Sequence, residues 1–209
     1  MSEWKVLSER VVYQNRWVQV GMADVVLPDG RHLDHTVIRV RPVAVAAVVN
    51  DAGEVLLLWR HRFISGAWGW ELPSGGTAEG EDPADAAARE FEEETGWRPG
   101  PMRLLLAVDP MPGISTSHHR VYWSDRAELV SDPRDAHESA RREWVSLTCV
   151  PELIARGEIR SANTVAALLM LHQLWGNDAS WRAATPASPL SSNAGPNRRG
   201  RTGRTPGSP

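Results

Sequence analysis

Four glutamates crowd one short stretch of the chain, Arg89-Glu90-Phe91-Glu92-Glu93-Glu94-Thr95-Gly96. The stretch reads as a helix. Asp82 suits an N-cap, Pro83 the first helical position and Asp85 the positive end, while Gly96 stops a run of strong helix formers from Ala84 through Thr95. A rotation of about 100° per residue sets Glu94 about 40° from Glu90, with Glu93 about 60° to the other side. Three carboxylates on one face repel one another when ionised, and hard divalent cations such as Mg²⁺ among their oxygens relieve that repulsion. Taken alone, Glu92-Glu93-Glu94 reads more simply as an acidic, solvated face. Arg89 lies eight residues after Glu81 and one turn before Glu93, where it can hold an acidic side chain as an ion pair.

Composition excludes several other chemistries. The chain has 209 residues, of which 42% are hydrophobic and 23% charged, enough for a substantial core. Lys5 is the only lysine, so no Gly-Lys-[Ser/Thr] phosphate loop exists and Schiff-base chemistry is disfavoured. Cys149 is the only cysteine, which removes internal disulfides and cysteine-based zinc sites. No run of eighteen apolar residues offers a membrane span, and Met1-Ser-Glu-Trp-Lys lacks the apolar region of a secretory signal. The expectation is a soluble, cytoplasmic protein that works with carboxylates, histidines, hydroxyls or metals.

The elements that must position the acidic helix are legible around it. Residues 1–41 predict an antiparallel β unit, with Pro28-Asp29-Gly30 as a hairpin turn. Val43-Ala-Val-Ala-Ala-Val-Val reads as a strand buried on both faces, turning at Asp51-Ala52-Gly53 into an antiparallel neighbour that starts at Glu54. A glycine-rich loop is expected from Gly66 to Gly80. Strands follow at 103–108, 120–123 and 143–147, with helices at 151–156 and 163–175. Strands and helices interleave, which predicts an α/β (mixed α+β) domain over 42–176 with helices packed on a mixed sheet. From residue 177 onward five Arg and one Asp stand among five Pro, four Gly and five Ser, a composition read as a disordered tail. No aromatic residue is interleaved with its last four arginines, which argues for a solvated tail and against nucleic-acid binding.

The acidic helix and the loop before it satisfy Gly-x5-Glu-x7-Arg-Glu-U-x-Glu-Glu-x-Gly-U, where U is bulky and apolar. Gly75, Glu81, Arg89, Glu90, Glu93, Glu94 and Gly96 fill the fixed positions, with Phe91 and Trp97 at U. At roughly 0.07 per residue type, chance produces all seven at about one start in 10⁸. The segment resembles the Nudix box. That resemblance implies a Nudix fold and Mg²⁺- or Mn²⁺-dependent hydrolysis of a nucleoside diphosphate linked to a second moiety. It implies metal ligation by Glu90, Glu93, Glu94 and the Ser74 carbonyl, and a structural brace formed by Gly75, Glu81, Arg89 and Gly96.

Outside the box, Trp70-Glu-Leu-Pro-Ser-Gly and Met111-Pro-Gly-Ile-Ser resemble segments of the ADP-ribose pyrophosphatase subgroup, and Trp59-Arg60-His61-Arg62 resembles its Arg-Gln-Tyr-Arg strand end. The resemblance implies ADP-ribose as substrate, with another nucleoside diphosphate sugar, or a ligand-sensing relative, as rivals. It implies substrate contacts at Trp17, His35, Arg62, Pro112 and Gly113, and a homodimer in which the β unit serves the partner's nucleotide site. Thr116-Ser117-His118 lacks the glutamate that the subgroup commonly carries there, so the general base is expected at Glu138, with Asp135, His137 or Glu93 able to take its place. His118 and His119 are read as structural ahead of phosphate contacts, and Trp68 as core or pocket wall.

Overall fold

The computed structural model describes residues 3–134 and 139–177; Glu138 and the basic tail lie outside the described residues. The N-terminal unit is a three-stranded antiparallel sheet of β1 (Lys5–Gln14), β2 (Val18–Val26) and β3 (His32–Val40), in the order β1-β2-β3. A parallel bridge from Ile38 to Ser115 ties β3 to the body of the protein.

The body is built around β4 (Val43–Val48), whose two faces are covered by different helices. Period-2 alternation sends Val45 and Ala47 to one face and Ala44, Ala46 and Val48 to the other. The first face meets α2 (Val150–Ala155) and α3 (Ala162–Asn177) through Val150, Leu153, Leu168 and Leu171. The second meets α1 (Pro83–Thr95) through Ala86, Ala87 and the fully buried Phe91. A strand covered on both sides has no polar face to show, which is why 43–49 reads as unbroken apolar sequence. The observed class is mixed α+β.

Four strands form the central sheet in the order β7-β4-β10-β9, with β7 (Ser74–Gly76), β9 (Arg103–Val108) and β10 (His119–Ser124). β10 runs parallel to β4, and the other pairs are antiparallel. Two expectations fail here. β5 (Glu54–Arg62) does not continue beside β4: after one bridge between Val49 and Val55 it joins a second sheet, ordered β12-β5-β6, with β6 (Ala67–Glu71) and β12 (Arg141–Ser146). β4 already has β7 and β10 on its two edges, leaving no edge for β5. The region 66–80 is not one loop either, since it holds β6 and β7. Trp70 and Leu72 bury against the core and supply the alternation that glycines mask in the sequence. A short two-stranded ladder of β8 (Trp97–Pro99) and β11 (Ala127–Leu129) follows α1. No helix among the described residues is long and apolar enough to cross a membrane.

Candidate active site

Local chemistry fixes both ends of α1. The Asp82 carboxylate accepts the N–H of Ala84 at 2.7 Å, Pro83 begins the helix, and Gly96 closes it in the left-handed region at φ 80°. A Cβ on Gly96 would lie 2.1 Å from the Ser131 carbonyl oxygen, which is backbone and cannot swing aside. Gly96→Ala should therefore lose at least ~2 kcal/mol of stability, combining the ~1–2 kcal/mol cost of the left-handed conformation with that clash. Urea unfolding measures it, and a loss under ~0.5 kcal/mol would contradict the assignment.

Arg89 gathers three acids. Its Nε and Nη2 donate to Glu81 at 2.9 and 3.3 Å, while Nη1 donates to Glu90 at 2.8 Å and Glu93 at 3.0 Å. Glu81 also accepts the Ala78 N–H at 2.8 Å, which ties the loop before α1 onto the helix. The Arg89 guanidinium, followed by that N–H, holds the Glu81 carboxyl below its usual pKa. Glu81 in turn raises the pKa of Arg89. The spacing-allowed ion pair of Arg89 with Glu81 is formed, and Arg89 reaches further, onto two of the three proposed ligands.

Glu94 is held differently. It is buried, receives Arg60 Nη2 at 2.6 Å and accepts the Ser74 N–H at 3.1 Å. Burial pushes its carboxyl up to about 7, against the opposing pull of Arg60 and the Ser74 N–H. Arg60 is equally buried, and its Nε donates to Ser139 Oγ at 3.1 Å. The Glu90 carboxylate lies against Gly75, where an added Cβ would sit 2.0 Å from its Cδ; only glycine fits. Glu90 and Glu94 therefore both abut residues 74–75, and Glu93 joins them through Arg89.

Arg89 and Arg60 divide the three acids between them, and among the described residues no three acidic, imidazole or thiol groups form a ready-made metal cluster. The donor set nonetheless fits a hard divalent cation, with three carboxylates on one helical face beside a glycine that admits one of them to the backbone. The described residues flanking 135–138 are anchored to the same site: the Arg134 N–H donates to the Glu93 carbonyl at 2.8 Å, and Ser139 holds Arg60.

A cavity of about 520 Å³ opens beside β7, with Arg62, Trp68, His119 and Arg160 in its wall. Arg62 stands there, paired to Glu71 by Nε at 3.0 Å. Trp68 is a pocket wall, half-exposed and stacked on Trp59 at 6.2 Å. His35, Pro112 and Gly113 come together at a separate cavity of about 150 Å³, where His35 Nε2 lies 2.8 Å from the Gly113 carbonyl oxygen. Trp17 lines neither cavity and is 62% exposed, with Arg16 over its ring. Sequence reasoning missed Arg60, Glu71, Asn163 and Arg160. Arg60 left one signal: it shares strand parity with the buried Leu56 and Leu58, and an arginine facing inward needs a buried acid.

Sequence comparisons match this arrangement at both ends of the chain. Residues 39–168 match the NUDIX domain, and residues 4–38 match the nucleoside diphosphate sugar hydrolase N-terminal domain. A CMP-5'-(N-acetyl-N-hydroxy-3-aminopropyl)phosphonate hydrolase of Streptomyces rubellomurinus is 40% identical over 83% of this chain and 84% of its own length. An ADP-ribose pyrophosphatase of Mycobacterium tuberculosis is 26% identical over 81% of this chain and 84% of its own. The crystal structure of an ADP compounds hydrolase shares the fold at a TM-score of 0.69 and 19% identity, covering 82% of this chain and 94% of that one. A box that folds as its spacing requires, inside a domain match that spans most of the chain, means that this protein belongs to the Nudix family and is a hydrolase of the ADP-ribose pyrophosphatase type.

Proposed function

We propose that this protein hydrolyses the pyrophosphate bond of a nucleoside diphosphate sugar, converting ADP-ribose and water to AMP and ribose 5-phosphate with Mg²⁺ or Mn²⁺. The observation that carries this reading is the placement of Glu90 and Glu94 against residues 74–75 while Arg89 ties Glu93 to the same group. Glu90, Glu93, Glu94 and the Ser74 carbonyl would hold the cation, which when bound neutralises the diphosphate and acidifies water. The chain supplies the rest. Glu81 and Arg89 keep the loop and helix rigid, Arg62 and the cavity wall bind substrate, and Glu138 removes a proton from the attacking water, with Glu93 the next candidate. Trp17, His35, Pro112 and Gly113 are assigned to the nucleoside end.

The 40% identity to a hydrolase of a CMP-linked phosphonate favours a second reading, in which the same phosphorus–oxygen–phosphorus link is cut in a cytidylyl phosphonate. A product-release panel of ADP-ribose, other nucleoside diphosphate sugars and that phosphonate separates the two. The first reading expects ADP-ribose to lead in kcat/KM by at least ~10-fold, about 1.4 kcal/mol of transition-state preference. A comparable lead for the phosphonate installs the second.

A homodimer goes with the first reading. Trp4, Val6, Leu7, Val11, Val12 and Tyr13 are each more than half exposed on or beside β1. Trp17 lies outside both cavities of its own chain, as a residue serving a partner's site would. Sedimentation should give twice 23.1 kDa at micromolar concentration. A fully active monomer would refute it.

A further inference from the structure

The wall of the larger cavity holds two members of a hydrogen-bonded chain, His119 and Asn163, to which the proposed hydrolysis gives no individual role. His119 opens β10, and its Cα pairs with Val43 of β4, which pairs with Gly76 of β7. Residues paired across a sheet send their side chains to one face, so the imidazole stands on the side where Gly76 leaves open space. His119, Asn163, Gly75 and Gly76 all line the cavity.

Asn163 is buried, and its Oδ1 accepts the Thr164 N–H at 2.7 Å and the Ser161 hydroxyl. Turning the amide over would set its NH₂ against the Thr164 N–H, donor against donor, so the orientation is fixed. The NH₂ therefore faces His119 Nδ1, 3.1 Å away, and Nδ1 must accept. The ring proton then sits on Nε2, which donates to Ser117 Oγ at 2.8 Å. Protonating Nδ1 as well would oppose two donors, and burial already holds His119 below the usual histidine pKa, with neighbouring His118 adding to the effect. The Thr164 hydroxyl also accepts the Leu72 N–H at 3.2 Å, so the start of α3 is tied to the segment leading into Ser74.

We propose that Asn163 locks His119 as a neutral Nε2–H donor and that this relay presents a hydrogen bond from the cavity wall, where His119 stands, to a phosphoryl oxygen of the substrate. The proposal rests on the pyrophosphohydrolase reading above. His119 is no general base, because Asn163 occupies its one ring lone pair. A neutral donor suits a wall beside carboxylates that hold cations: it contacts phosphate and adds no positive charge to repel them.

Long-range ¹H–¹⁵N NMR on the full chain reads the tautomer directly. Nε2 should carry the proton and Nδ1 stay bare at neutral pH, with any protonation of Nδ1 shifted below that of an ordinary histidine. Inorganic pyrophosphate with Mg²⁺ should move the Nε2 resonance, and Asn163→Leu should let the ring titrate. In kinetics, His119→Leu should lower kcat/KM at least ~10-fold, while His119→Gln, which keeps an N–H near Nε2, should recover to within about threefold, the two variants melting alike. A proton on Nδ1, or an Nε2 resonance unmoved by saturating pyrophosphate, overturns the relay whatever the substrate proves to be. Absence of ADP-ribose turnover, with the tautomer and the pyrophosphate shift as expected, leaves the relay standing and overturns the substrate reading alone.

Discussion

Glu94→Gln should abolish turnover, lowering kcat by more than ~1000-fold, and yet yield an apo protein at least as stable as the wild type at pH 7.5. Both halves follow from the same burial. Glu94 is buried beside Arg60, and its carboxyl is pushed up to about 7 from an ordinary 4.5. For an acid raised in the folded state, stability is fully present below the unfolded pKa and is lost as pH rises toward the folded one. The wild type therefore loses stability between pH 4.5 and about 7, by up to the order of 3 kcal/mol, and glutamine does not. The two proteins should melt together at pH 4.5 and diverge in favour of the variant by pH 7.5. Mg²⁺ should raise the wild-type melting temperature by mass action and leave the variant almost unmoved. Calorimetry across that pH range, with and without Mg²⁺, measures each term; an active variant with an undiminished Mg²⁺ shift would remove Glu94 from the ligand set.

Glu138→Gln is the second large effect, with kcat expected to fall at least ~100-fold while KM stays within a few-fold. Water attacking a phosphorus centre must lose a proton, and carboxylates committed to a cation are poor acceptors for it. Glu138 lies outside the described residues, but Arg134 and Ser139 on either side are bonded to Glu93 and to the Arg60 that holds Glu94. The Mg²⁺ thermal shift should persist in this variant, separating a lost base from a lost ligand. If the variant keeps more than a tenth of wild-type kcat, the role passes to Glu93 or Asp135, and the same substitution is made there.

The sequence was most informative where the controlling forces are local. The cap at Asp82, the stop at Gly96 and the eight-residue reach from Glu81 to Arg89 are decided within a few turns of one helix, and the structure places them as the spacing requires. The parting of β4 from β5 was not legible, because it depends on which strands already occupy the edges of β4. Arg60 was passed over for the same reason: its partner Glu94 is more than thirty residues away, and only the folded interior brings the two together. The Asn163–His119 bond joins the start of a helix to the start of a strand, and neither residue type in its own stretch signals the other.

The most direct measurement of the central claim is product-resolved hydrolysis of ADP-ribose by the full-length protein, with Mg²⁺, with Mn²⁺ and with chelator, alongside Glu94→Gln. The account predicts AMP and ribose 5-phosphate in equal amounts, formed only with a divalent cation and only by the wild type. Cleavage that persists in chelator or in Glu94→Gln, or wild-type protein that cuts no nucleoside diphosphate compound with either cation, would contradict it.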